Sequence, residues 1–205
     1  MSEKNGKTIV IAADCTGHGV PGAFVSMLGI AFLNEIINKT THDASAASIL
    51  NNLREYVINS LRQDDTEGKT KDGMDLALCI IDRSNDEVQF AGAYNPLIMI
   101  KDGQLEQVKA DKMPVAFHIK MDSGFTNHTL KVNKGDCVYL FSDGFQDQFG
   151  GPQGKKFKIK QLKEFFEQNH HREMPEQKAM LETIFSDWKG EQEQIDDVLI
   201  VGVRI

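Results

Sequence analysis

The chain has 205 residues, 40% of them hydrophobic and 26% charged, with a formal net charge of −7. That length supports one domain with a sizeable core, and the composition is that of a globular protein. The acidity argues against nucleic acid, whose phosphates need a basic footprint, and against anionic membrane surfaces.

In chain order, Thr8–Ala13 reads as a short buried strand, β-branched and apolar, stopped by the glycine-rich stretch Gly17–Gly22. Ala23–Asn38 reads as a helix whose apolar positions cover most of its circumference, which predicts a well-buried helix. Asp43 is placed to cap a second helix ending near Arg62, with Ala46, Leu50, Leu53, Val57 and Leu61 at helical intervals. Gln63–Gly73 is a polar loop. Strand signals then crowd together: Leu76–Asp82, Glu87–Ala91, Leu97–Lys101, Leu105–Lys109, Phe125–Val132 and Cys137–Ser142. Ser84-Asn85-Asp86, Asp102-Gly103 and Lys134-Gly135-Asp136 supply tight turns between them. Lys156–Asn169 and Pro175–Trp188 read as helices, and Asp197–Ile205 as a closing strand. Strands joined by short turns are antiparallel, and helices set apart in blocks make this an α+β fold in a single domain over 1–205.

The three cysteines, Cys15, Cys79 and Cys137, have no metal-type spacing and suit a reducing compartment. No signal peptide and no unbroken apolar run of membrane-spanning length is visible in the sequence. The expected location is therefore the cytoplasm, as a free protein or as the cytoplasmic portion of a membrane-anchored sensor.

Three acidic motifs share one grammar: Asp14 after an apolar strand, Asp143 in Ser142-Asp143-Gly144 after another, and Asp196-Asp197 before a third. Taken singly, each has a bland reading as a helix cap, a turn or a solvated strand edge. Taken together, carboxylates at rigid strand ends suit an all-oxygen site for Mg²⁺ or Mn²⁺. The glycine loop lacks the Gly-Lys-Ser/Thr of a P-loop and the glycine spacing of a dinucleotide site. Cys15 has no neighbouring arginine to make it a phosphatase thiol, and His42, His118, His128, His170 and His171 have no metal spacing and read as surface or turn residues.

The blocks DCTGHGVPGAF, YLFSDGFQDQFGG and QIDDVLIVGV, in this order and at domain spacing, resemble the signatures of the SpoIIE-type branch of the PPM (type 2C-like) metal-dependent serine/threonine protein phosphatases. Gly92-Ala93-Tyr94-Asn95-Pro96 and Met113-Pro114-Val115 fall where that family has comparable segments. The resemblance implies two packed antiparallel sheets flanked by helices, an α-β-β-α sandwich. It implies two Mn²⁺ or Mg²⁺ ions that activate a water for attack on phosphoserine or phosphothreonine. Carried over by position, Asp14 bridges the metals, the backbone carbonyl of Cys15 is a further ligand, and Asp143 and Asp196 complete the second site, with Asp197 the alternative to Asp196. His18 stands near the leaving group. The implied partners are a phosphorylated regulatory protein, such as an anti-sigma-factor antagonist, and an upstream sensor or receiver domain; a homodimer is left open.

Two departures stand out. The family's upstream Gly-Asp-Phe block, on the strand before that of Asp14, has no counterpart here, and the closing block has Asp-Asp-Val-Leu in place of Asp-Asp-x-Thr. The first predicts a missing N-terminal strand, an open sheet edge, poor metal binding and weak activity. The rival reading is a binding or scaffold domain that keeps the fold without the chemistry.

Overall fold

A computed structural model describes residues 1–17, 19–41, 43–63, 72–118 and 123–205. His18, His42 and residues 64–71 of the expected polar loop lie outside them. The elements begin with β1 (Ser2–Lys4), β2 (Lys7–Cys15), α1 (Gly19–Lys39), α2 (Ala46–Leu61), β3 (Met74–Asp82) and β4 (Glu87–Ala93). Next come β5 (Leu97–Lys101), β6 (Gln104–Val108), β7 (His128–Lys131), β8 (Cys137–Phe141) and α3 (Gly144–Asp147). The chain closes with β9 (Phe149–Gly150), β10 (Lys155–Lys156), α4 (Lys158–Asn169), α5 (Met174–Lys189) and β11 (Ile200–Arg204). This is the mixed α+β arrangement of antiparallel sheets and helices that the sequence predicts.

The chain forms two compact units, neither contiguous in sequence: Met1–Pro96 with Lys109–Lys131, and Leu97–Val108 with Val132–Ile205. The first contains a five-stranded antiparallel sheet in the order β1-β2-β3-β4-β7. Its centre is β3, buried on both faces, as the unbroken apolar run Leu76–Ile81 requires. Ile9 of β2, Leu76, Leu78 and Ile80 of β3, and Ala91 and Ala93 of β4 share one core with α2. α2 supplies Ala46, Ile49, Leu50, Leu53 and Val57, one apolar stripe at helical spacing.

Four sequence expectations change here. The cap of α2 is Ser45, not Asp43: its hydroxyl accepts from the Ser48 N–H at 3.1 Å. A strand does precede that of Asp14, because Asn5 and Gly6 adopt positive φ and turn Ser2–Lys4 back onto Lys7–Ile9. Beyond Ile9, the same edge of β2 has no strand partner among the described residues. Third, α1 is not well buried. Val25, Gly29, Ile36 and Ile37 face the core, whereas Val20, Phe24, Met27 and Ile30 are 59–83% exposed. Fourth, α1 is by length and composition apolar enough to cross a membrane, which a search for an unbroken apolar run misses.

The second unit contains the sheet β11-β8-β5-β6, again antiparallel, and the small ribbon β9-β10. β8, the apolar run Cys-Val-Tyr-Leu-Phe, is buried throughout. Tyr139 on it stacks on Phe166 of α4, centroids 4.0 Å apart, and donates its hydroxyl to Gln177 Oε1 of α5 at 2.9 Å. Gln177 in turn donates to the Arg172 carbonyl at 2.9 Å, which gives the buried Tyr139 and Gln177 side chains partners. Leu162, Phe165 and Phe166 of α4 and Leu181 of α5 close the core over the sheet. The β5–β6 turn is Asp102-Gly103, both at positive φ (48° and 77°), the backbone an Asp-Gly hairpin needs.

Candidate active site

Asp14 is the penultimate residue of β2 and stands directly opposite Asp75 of β3. Side chains alternate across a strand. Ile9, Ile11 and Ala13 take the face that packs against α1 and α2; Asp14 therefore takes the other face. Its ladder continues one step past the strand, where the Thr16 N–H donates to the Gly73 carbonyl at 2.9 Å. The chain then turns through Gly17 and Gly19, both at positive φ. Gly22 closes the loop: a β-carbon there would lie 2.5 Å from the Gly17 carbonyl oxygen, so only glycine permits this return. Ser26 one turn later donates its hydroxyl to the Gly22 carbonyl at 3.0 Å.

Burial pushes the Cys15 thiol up, and the Asp14 charge beside it acts in the same direction against a hydrogen bond from Ser26. A thiol held protonated is a poor nucleophile. The cysteine-nucleophile reading therefore gains nothing from the structure. His18, the residue implied to stand near a leaving group, is outside the described residues.

Asp143 follows β8 and opens the single turn α3. Its neighbours in sequence explain why the motif is Ser-Asp-Gly. The Ser142 hydroxyl donates to the Asp197 carbonyl at 2.9 Å and accepts from the Leu199 N–H at 3.0 Å. The Ser142 N–H donates to the Leu199 carbonyl at 3.0 Å, extending the β8–β11 ladder by one residue. Gly144 lets the Asp196–Asp197 backbone approach: a β-carbon there would be 2.3 Å from the Asp197 carbonyl oxygen. Five residues on from Asp143, the buried side chain of Gln148 donates to the Glu193 carbonyl at 2.9 Å. The exposed segment with Asp196 and Asp197 is thus tied down at Glu193, Asp197 and Leu199 by Gln148 and Ser142. This segment is not strand: β11 begins at Ile200, three residues after the Asp197 expected to start it.

Asp196 Oδ1 accepts from the Asp197 N–H at 2.8 Å, and Gln194 donates to the Asp196 carbonyl at 2.8 Å. Burial pushes the Asp143 carboxyl above the usual range, and the charges of Asp196 and Asp147 raise it further. Asp147 is paired with Lys156 at 2.8 Å, which leaves Asp143 and Asp196 as two like charges in each other's field. Such a pair is stabilised by a shared proton or a cation. The donors are all oxygen, the set that hard divalent ions prefer. Asp196, not Asp197, acts on Asp143 electrostatically. Sequence reading missed Ser142, Gly144 and Gln148 as positioning residues, and Asp75 as the cross-strand neighbour of Asp14.

Among the described histidines, His170 and His171 are neighbours, ring centroids 5.8 Å apart. His128 lies on β7 against Phe90, ring centroids 5.9 Å apart, rather than in a turn, and His170 ends α4.

The antiparallel sheets and flanking helices define the class: this is the PP2C-like phosphatase fold. The SiaA PP2C domain of Pseudomonas aeruginosa is 27% identical with a TM-score of 0.86, covering 100% of this chain and 78% of that one. A SpoIIE chain of Bacillus subtilis, its PP2C phosphatase domain with a fragment of its regulatory domain, is 16% identical with a TM-score of 0.69. That match covers 98% of this chain and 58% of the SpoIIE chain, less than two thirds of its length. The serine/threonine phosphatase PstP/Ppp of Mycobacterium tuberculosis is 14% identical with a TM-score of 0.64, covering 100% of this chain and 94% of that one. Comparison with curated protein sequences finds no match. The chain belongs to the SpoIIE family (Stage II sporulation protein E), which it matches over residues 4–205.

Proposed function

We propose that this chain hydrolyses phosphoserine or phosphothreonine on a regulatory protein with the help of divalent cations, Mn²⁺ or Mg²⁺. The observation that carries this reading is the interlock of Ser142 and Gly144 with Asp197, which fixes a two-carboxylate site at Asp143 and Asp196. Asp143 and Asp196 would hold a cation, Asp14 and the backbone carbonyl of Cys15 are the further ligands that the family resemblance implies, and Asp196 is preferred to Asp197 because its charge acts on Asp143. Two cations, when bound, would supply an acidified water and a clamp for the phosphate oxygens. The protein's own contribution is positional. β2 and β8 hold Asp14 and Asp143 at strand ends, and the hydrogen bonds of Ser142 and Gln148 keep the Asp196 segment in register with β8. No side-chain nucleophile is required, consistent with a Cys15 thiol kept in its protonated form. His18 is assigned a place near the leaving group.

The substrate class is a phosphorylated regulatory protein such as an anti-sigma-factor antagonist, and the regulator is an upstream sensor or receiver domain. A cytoplasmic location suits the free thiols Cys15, Cys79 and Cys137.

The test is phosphate release from a phosphoserine peptide with Mn²⁺, with chelator, and in Asp143→Asn. Turnover that needs the metal and falls by two or more orders of magnitude in the variant supports the reading. Turnover indifferent to chelator and to Asp143→Asn overturns it. Mn²⁺ binding without turnover favours the scaffold reading.

A further inference from the structure

Tyr94, the residue directly after β4, is held against its own conformational preference. Its φ is 59°, left-handed backbone that a bulky side chain rarely adopts. Asn5, Asp86 and Asp102 share that region, but asparagine and aspartate tolerate it, and Arg62 enters it as the C-cap of α2. Among the described residues Tyr94 is the one aromatic side chain there. Asn95, next in the chain, is buried, and its side-chain amide nitrogen has no hydrogen-bond partner among the described residues. A strained backbone and an unpaired buried amide in adjacent residues both oppose folding, and such strain persists where the position has a use.

The turn is firmly clamped. The Tyr94 N–H donates to the Asp111 carbonyl at 2.9 Å, the Asp111 N–H to the Gly92 carbonyl at 3.0 Å, and the Asn95 N–H to the Ala93 carbonyl at 2.7 Å. Thr126 fixes Asp111 in turn, donating its N–H and its hydroxyl to the carboxylate at 2.7 and 3.0 Å. This frame carries a tyrosine 46% exposed to solvent. Its place in the sheet gives that ring a task. Leu76 pairs with both Ala13 and Ala93, and Asp75 pairs with Asp14, so the next cross-strand row runs Asp14, Asp75, Tyr94. Neighbouring strands lie about 4.8 Å apart, which sets the backbone of Tyr94 about 10 Å from that of Asp14.

We propose that Tyr94 is a substrate-contacting residue, its ring packing on an apolar side chain about three residues from the phosphoserine or phosphothreonine of an extended peptide. This rests on the phosphatase reading, which puts the phosphate at the Asp14 end of β2. Three residues of extended chain, at about 3.3 Å each, span the same distance as the two strand spacings. An aromatic ring offers apolar contact area with few rotatable bonds, and the clamped backbone removes freedom that binding would otherwise have to freeze.

Steady-state hydrolysis with Mn²⁺ tests it on p-nitrophenyl phosphate and on two phosphoserine peptides, one with leucine and one with glycine three residues to either side. Wild type should prefer the leucine peptide about tenfold in kcat/KM. Tyr94→Asn, whose new side chain accepts the positive φ, should melt no lower than wild type and bring the two peptides level, the loss falling on the KM of the leucine peptide rather than on kcat. Tyr94→Phe keeps the ring and should keep the preference. A Tyr94→Asn variant that retains the preference overturns the proposal. So does a loss equal for both peptides, a Tyr94→Phe variant that behaves like Tyr94→Asn, or a wild type that hydrolyses all three substrates without preferring leucine. A wild type that hydrolyses none of the three, p-nitrophenyl phosphate included, overturns the phosphatase reading and this assignment with it.

Discussion

A β-carbon on Gly144 would stand 2.3 Å from the carbonyl oxygen of Asp197, a separation that only the absence of a side chain permits. The two residues are 53 positions apart in sequence, yet the Asp196-Asp197 motif reaches its place only because Ser142-Asp143-Gly144 ends in glycine. Gly144→Ala must push the Asp196–Asp197 backbone outward. The expected result is a loss of Mn²⁺ affinity of tenfold or more, measured by calorimetric titration. The far-UV spectrum should be nearly unchanged, since the displaced segment is exposed and not strand.

Ser142→Ala removes a hydroxyl that both donates and accepts, leaving the Asp197 carbonyl and the Leu199 N–H without that partner. Ser142 is buried. Urea unfolding should show a loss of about 1–3 kcal/mol. Phosphate release should fall further than that stability loss alone accounts for, because the Asp196 segment loses one of its ties.

Asp143→Asn separates function from stability. Burial and the neighbouring charges of Asp196 and Asp147 disfavour the ionised carboxylate, so the neutral amide should leave the metal-free protein as stable as wild type or more so. Thermal melts with chelator check this. In wild type the raised carboxyl holds its proton in the folded chain to higher pH than in the unfolded one. Metal-free stability therefore declines as pH rises through the folded value. The Asp143→Asn variant, with no proton to lose there, should lack that slope.

Asp82 has the opposite sign. Its carboxylate accepts from the Ser84 hydroxyl at 2.6 Å and N–H at 3.1 Å, and from the Asn85 N–H at 3.2 Å and side-chain amide at 2.9 Å. These bonds, first of all the one from Ser84, with Lys7 at 3.4 Å, hold it far below the usual carboxylate range. The stability it contributes is complete above the unfolded value of about 4 and is lost as pH falls below it. Asp82→Asn should cost about 2 kcal/mol at pH 7 and progressively less below pH 4, read from urea midpoints.

The strands were legible because their burial is written locally. Leu97–Lys101 was delimited from its apolar run alone, and Asp102-Gly103 announced its turn. The three acidic motifs stand out in the sequence for a related reason, two following an apolar run and the third preceding one. The helix α1 was misjudged because apolar residues around a full circumference state a preference for burial without saying which face the fold covers. Ser142, Gly144 and Gln148 escaped because their partners lie far along the chain, and a local reading of Ser-Asp-Gly ends at a turn. β11 starts later than its apolar letters suggest, since Ser142 ties down Asp197 and Leu199 before the strand begins.

The interrupted make-up of the two units bears on synthesis. Residues Leu97–Val108 belong to the second unit but leave the ribosome between the two parts of the first. Ile98 and Ile100 of β5, buried in the finished protein, must wait for Cys137 and Tyr139 of β8 to be made before that strand has its neighbour. In that interval the β5–β6 hairpin shows an apolar strand edge to its surroundings, the kind of transient surface that chaperones cover and that aggregation exploits. Vectorial folding of this chain is vulnerable at one definable stage, between about residue 108 and residue 141 of elongation.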